Sequence, residues 1–201
     1  MDSRQFLKRF MEEVYRDRWI DDKNKTLFDI YLNDAEYTPV ITKIINDIID
    51  SAGYTHQNEY FRIDAIGWIS HYEDMKKDAK EEGLKVKAHL WDLKIAVEHE
   101  NSKADWSDEV MKLIHVKCPL KVIIGYSYSD ERGEIERKKL DFVAKWMQDI
   151  EALQKGTDEE YLVILGNGCN HKTGISDYDD FGYVGYLYDW ETKLFVRINE
   201  T

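Results

Sequence analysis

The chain has 201 residues, enough for one well-cored domain and short for two. Its 43% hydrophobic and 13% aromatic content excludes a disordered chain. A formal net charge of -12 counts against a nonspecific nucleic-acid binder, because such proteins gain affinity from Lys and Arg that neutralise phosphates.

The first 23 residues, MDSRQFLKRFMEEVYRDRWIDDK, carry charges throughout and lack the apolar stretch of a signal peptide. Phe6, Phe10, Val14 and Tyr15 fall at helical spacing, which predicts an amphipathic helix. Thr38-Pro39 reads as an N-cap followed by proline at the first helical position. Ile41, Ile44, Ile45, Ile48 and Ile49 make the stripe of that second helix, and Gly53 ends it. The period then changes: Tyr60 to Ile69 is β-rich, with Phe61, Ile63 and Ala65 alternating against Arg62, Asp64 and Ile66. His71 to Gly83 is charged and reads as a helix-loop excursion. Leu84 to Asn101 is strand-like, as one long strand or as two with a turn near Trp91-Asp92.

A helix over about Asp105 to Val116 buries Trp106, Val110, Leu113 and Ile114, and Pro119 stops it. Leu120 to Tyr126 is the short apolar run of a buried strand. Gly133 to Leu153 reads as a long helix with Ile135, Leu140, Val143, Trp146, Met147 and Ile150 inward. Strands at Tyr161–Leu165, Gly182–Tyr188 and Leu194–Ile198 complete the chain, the first two joined by a Gly- and Asp-rich loop. The expected fold is therefore a single α/β domain over 1–201 with a central mixed β-sheet flanked by helices and a right-handed crossover in the middle. No apolar run approaches the ~20 residues of a membrane helix. The two cysteines, Cys118 and Cys169, form no metal spacing or disulfide framework and suit a reducing cytoplasm.

The chemistry concentrates on Leu93-Lys94-Ile95-Ala96-Val97-Glu98-His99-Glu100. Strand alternation puts Leu93, Ile95, Val97 and His99 on one face, and Lys94, Ala96, Glu98 and Glu100 on the other. Two carboxylates on one face repel each other unless water, a basic partner or a cation intervenes, and hard divalent ions prefer such oxygens. Asp64 supplies a third acid on the neighbouring strand candidate. The bland alternative is a solvated sheet face with Arg62 or Lys94 as counter-charges.

Arg62-Ile63-Asp64, then Ala96 to Ser102, then Trp106 to Leu113, then Pro119 to Tyr126 together resemble the PD-(D/E)XK superfamily of the restriction-endonuclease-like fold. The resemblance spans about residues 40–130, with the N-terminal helix and a strand-rich C-terminal extension outside it. It implies a helix, a three-stranded meander, a crossover helix and a parallel strand. It also implies Mg²⁺ (or Mn²⁺) held by Asp64, Glu98 and Glu100, and hydrolysis of nucleic-acid phosphodiester bonds, DNA first. Glu100 stands where that family's lysine is expected. Lys112, on the following helix, is the substitute candidate, and Lys94 is a more distant one; the plainer reading of Lys112 is a surface pair with Glu109. The missing lysine and the acidic charge keep a second class open, a catalytically inactive binding or regulatory subunit of the same fold. The resemblance further implies a homodimer that reads two half-sites.

Other features carry less. Gly166 to His171 lacks the Lys-Ser ending of a phosphate loop, and Cys169 with His171 are too few ligands for zinc. His99 falls on the apolar face, as a hydrogen-bonded core histidine would. Tyr178, Tyr183, Tyr186, Tyr188 and Trp190 suit a core or a dimer interface better than base stacking. Arg137-Lys138-Lys139 is interleaved with acids, as on a solvated helix.

Overall fold

The short apolar run Leu120–Tyr126 is buried along its whole length, and helices cover it on both faces. The computed structural model describes residues 1–15, 27–31, 33–85, 91–101, 106–126, 132–150, 158–167, 169–170, 175–176 and 182–199. The helices are α1 (Ser3–Val14), α2 (Leu27–Ile30), α3 (Asp34–Ser51), α4 (Tyr72–Glu81), α5 (Trp106–Ile114) and α6 (Arg132–Asp149). The strands are β1 (Thr55–Tyr60), β2 (Ile63–Ser70), β3 (Trp91–His99), β4 (Leu120–Tyr126), β5 (Glu160–Asn167), β6 (Cys169–Asn170), β7 (Ile175–Ser176), β8 (Gly182–Asp189) and β9 (Leu194–Ile198).

Seven of them form one sheet in the order β1-β2-β3-β4-β5-β8-β9, and β6 pairs with β7 separately. β1-β2-β3 is an antiparallel meander, β3-β4-β5 is parallel through the crossover helices α5 and α6, and β5-β8-β9 is antiparallel again. The protein is thus α/β with a mixed sheet. Period-two alternation divides the core. Ile95, Val97, Val122, Ile124, Leu162 and Ile164 face α1, α2 and α3. Ala96, Ile123, Val163 and Leu165 face α5 and α6.

The stripes on α1 and α3 form as the spacing predicts, except that Tyr15 caps α1 and is exposed, and Gly53 ends α3 at a φ of 77° that favours glycine. The start of α3 differs. It begins at Asp34 after Asn33, which leaves Pro39 inside the helix rather than at its first position. The added turn carries Tyr37, 1% exposed and packed edge-on against Tyr31 and Tyr126, so tertiary burial outweighs the hydrogen bond that proline forfeits.

The β-rich stretch from Tyr60 to Ile69 holds the last residue of β1, a turn and then β2. A turn at Phe61-Arg62 interrupts it, with Glu59, Phe61 and Arg62 all at positive φ. Such backbone costs about 1–2 kcal/mol per residue for non-glycine types, which the β1–β2 ladder offsets. Its first strand, β1, is exposed along most of its length and carries no apolar alternation. In α6, Trp146 is 49% exposed and Ala144 is buried, so the apolar face is rotated from the predicted one. Side chains of Ile135 and Cys169, and all of His171 and Tyr178, lie outside the described residues. Tyr183 and Tyr188 are buried core residues, as expected.

β4 also holds a charge that the apolar run conceals. Lys121 is 0% exposed, pairs with Glu159 at 2.6 Å, donates to the Cys118 carbonyl at 2.9 Å and stands over the Tyr161 ring. Among the described residues no helix is long and apolar enough to cross a membrane.

Close packing of α5 on β4 requires Gly125. A Cβ there would lie 2.6 Å from Trp106 Cβ and 2.8 Å from its Cγ, and Trp106 is 2% exposed with no room to retreat. Gly125→Ala should therefore lower unfolding stability by about 1–3 kcal/mol, measured by urea denaturation. Unchanged stability would mean that the α5–β4 contact is looser than described.

Candidate active site

The antiparallel register between β2 and β3 decides which acids meet. Ala65 pairs with Val97 and Ile66 with Ala96, so the next step of the ladder sets Asp64 opposite Glu98. Both share the face of Ile66 and Ala96, which α5 covers. This edge is also the carboxyl end of β3, the first of the three parallel strands, where open α/β sheets expose their crevices.

Backbone groups brace the two acids. The His99 N–H donates to Asp64 Oδ2 at 2.7 Å, and the Asp64 N–H donates to Glu98 Oε2 at 3.4 Å. α5 supplies the cation. Lys112 Nζ lies 2.7 Å from Glu98 Oε1 and 2.5 Å from Glu109 Oε2, and it donates to the Arg62 carbonyl at 2.9 Å. The surface pair with Glu109 is therefore present, but the same ammonium also reaches the sheet. Helix geometry explains this: Glu109 and Lys112 are three apart on one face, and that face overhangs the end of β3. Glu98 Oε1 and Glu109 Oε2 are both buried, and the Lys112 ammonium is the group that faces the two of them.

Glu98 is 1% exposed. Burial drives its carboxyl up to about 8, far above the ordinary carboxylate range; Lys112 opposes the rise and the Asp64 charge adds to it. Burial works against the charge on Lys112 as well, but Glu109 and Glu98 outweigh it and hold the ammonium more firmly protonated than usual. The net arrangement is a cation between two acids, one of them held largely neutral by its surroundings.

Other expectations separate. Glu100 is half-buried beyond the end of β3, its N–H bonded to the Ile124 carbonyl. The trio of Asp64, Glu98 and Glu100 does not gather: among the described residues, no three His, Cys, Asp or Glu side chains are placed to hold a metal ion together. The strand continues past Glu98 for one residue only, so alternation alone does not carry Glu100 back to the pair. Lys94 turns to Asp92 at 3.4 Å, away from the acids. His99 is the core histidine that its parity implies: its Nε2 meets the Tyr126 hydroxyl at 2.6 Å, and burial pulls its pKa down to about 3. Behind it, Tyr126 donates to Tyr37, which meets Tyr183, so a buried chain of hydroxyls ties α3, β3, β4 and β8 together under the acids.

Sequence reasoning missed Glu109 as a neighbour of Glu98; its spacing from Lys112 was the available signal. A scan of protein-family models and a search of curated proteins each give no match to this sequence.

The neutral state of Glu98 has a measurable sign. Its folded pKa, about 8, lies above the ordinary 4.5, so its contribution to stability is full below about 4.5 and is lost as pH rises to about 8. Glu98→Gln removes that loss. The variant's unfolding free energy should gain on the wild type over this range by on the order of a few kcal/mol, read from urea denaturation at a series of pH values. A difference that stays constant with pH would mean that Glu98 is ionised throughout.

Proposed function

We propose that this protein is a metal-dependent nuclease that hydrolyses nucleic-acid phosphodiester bonds, DNA first, with Asp64, Glu98 and Lys112 as its working groups. The observation that carries the reading is Lys112 Nζ at 2.7 Å from Glu98 Oε1, on the strand next to Asp64. The resemblance implies a lysine beside two acids, and here the lysine comes from the helix when the strand position holds Glu100. Apart from α4, which is inserted between β2 and β3, the order α3, β1-β2-β3 meander, α5, parallel β4 is also the order that the resemblance implies, and it supports a restriction-endonuclease-like core.

The donor set fits a hard divalent cation. Mg²⁺ takes one or two carboxylates and completes its shell with water and substrate phosphate, so Asp64 and Glu98 suffice without Glu100. Glu98 Oε1 faces the Lys112 ammonium at 2.7 Å, so a cation at the pair would share that oxygen with Lys112 and take its remaining protein oxygen from Asp64. When bound, Mg²⁺ or Mn²⁺ would polarise the scissile phosphate and acidify a water. Asp64, fixed by the His99 N–H, orients the acidic pair. Lys112, held charged by Glu109, places a positive group where negative charge grows on the phosphoryl oxygens. Glu109 positions Lys112. A homodimer and a cytoplasmic setting belong to the same reading.

A catalytically inactive binding or regulatory subunit is the second reading. Glu98 at 1% exposure and the net charge of -12 favour it.

Incubation with plasmid, single-stranded DNA and RNA in Mg²⁺, Mn²⁺ or chelator tests the first reading. Cleavage should need the cation, fall at least ~100-fold in Asp64→Asn and Glu98→Gln, and fall in Lys112→Ala with folding intact. Cleavage that persists in Glu98→Gln or in chelator contradicts it, and no cleavage under any condition leaves the second reading.

A further inference from the structure

On the side of the sheet that carries the acids, toward the other end of β2 and β3, lies a small cleft of about 190 Å³ lined by Gln57, Tyr60, Trp68, Ser70 and Trp91. Its walls are aromatic. Trp91 packs edge-on against Tyr60 and against Trp68, with ring centres 5.5 and 5.8 Å apart. Tyr60, Trp68 and Trp91 rest on the core cluster that holds Ile66 and Ala96, so the cleft opens on the face that carries Asp64 and Glu98. The cleft is not purely apolar. The Trp68 indole Nε1 is buried with no hydrogen-bond partner, and the exposed Gln57 and Ser70 add a carboxamide and a hydroxyl.

The chain leads from this cleft directly to the acids. Trp68 and Asp64 lie four residues apart on β2, about 13 Å by the rise of a strand, a span of about two nucleotides of extended backbone. Between Tyr60 and Asp64 the strained turn holds out Phe61, 82% exposed and edge-on to Tyr60 at 4.7 Å. It also holds out an exposed Arg62, whose carbonyl receives Lys112.

We propose that this cleft takes one unpaired nucleobase of the strand whose phosphate reaches Asp64 and Glu98, so that the substrate is single-stranded nucleic acid. The inference rests on the nuclease reading for its ligand. The chemistry is specific to an unpaired base. Aromatic faces stack any base, an unsatisfied indole N–H requires an acceptor, and the amide and hydroxyl reach a base edge. A paired base offers neither its face nor its Watson–Crick edge, so duplex has no way into the cleft. Phe61 stacks a neighbouring base and Arg62 meets a phosphate. This local set of contacts lets an acidic protein bind a polyanion without a broad basic surface.

The test is binding in chelator, where no cleavage occurs, by anisotropy of a short labelled single-stranded oligonucleotide and of the matching duplex, with intrinsic tryptophan fluorescence as a second signal. The single strand should bind more tightly than the duplex and quench tryptophan. Phe61→Ala, at an exposed position that the fold does not need, should weaken it about tenfold or more. Trp68→Phe, which keeps an aromatic ring but removes the N–H, should also weaken it. Equal binding of duplex and single strand, or wild-type binding by both variants with native circular dichroism, overturns the inference. Single-strand binding with these dependences but no cleavage in Mg²⁺ or Mn²⁺ sinks the nuclease reading and leaves the cleft assignment standing. Metal-dependent cleavage of duplex, undiminished in both variants, does the reverse.

Discussion

One buried carboxylate sets the terms for the site. Glu98 lies next to the end of β3, in its buried half, and at 1% exposure its charge would have no water to solvate it. The fold answers with what its neighbours can reach: Lys112 from α5, the Asp64 N–H from β2, and a proton held to about pH 8. Each answer depends on a separate piece of architecture. The antiparallel register supplies Asp64, the crossover helix supplies Lys112, and the tight contact of Gly125 with Trp106 holds that helix against the sheet. Loss of any one removes part of what compensates the buried carboxyl.

The opposite face shows the complementary solution. There His99, also buried, is kept neutral and joined to Tyr126, Tyr37 and Tyr183 in a chain of hydroxyls. This buried chain of hydrogen bonds ties together the elements it joins, although His99 Nδ1 has no partner within it. The end of β3 is thus held from both sides, by ionic contacts above and by hydroxyls below. A rigid strand end is what a site needs if two acids are to stay within reach of one ligand.

Much of this was legible in the residues. The isoleucine stripe of α3, the apolar run of β4 and the parity of β3 each follow from periodicity, and the two faces of β3 behave as that parity requires. The pairing of Asp64 with Glu98 followed from treating the two segments as neighbours. The failures have physical causes. β1 is a polar edge strand with no alternation to detect, so the turn that lifts Phe61 and Arg62 out of the sheet is indistinguishable in sequence from the strand that follows it. Pro39 suggested a helix start, but burial of Tyr37 outweighed its local preference. Lys121 sits inside a hydrophobic run because Glu159 and the Tyr161 ring receive it, and both are distant in sequence. The reach of Lys112 is a tertiary fact that no spacing within its own helix reveals.

The central claim is that Asp64 and Glu98 form a divalent-cation site beside Lys112. Isothermal titration of the protein with Mn²⁺, without nucleic acid, addresses it most directly. The account predicts saturable binding to the wild type that is lost in both Asp64→Asn and Glu98→Gln. An absence of binding to the wild type, or binding that persists unchanged in Glu98→Gln, would contradict it.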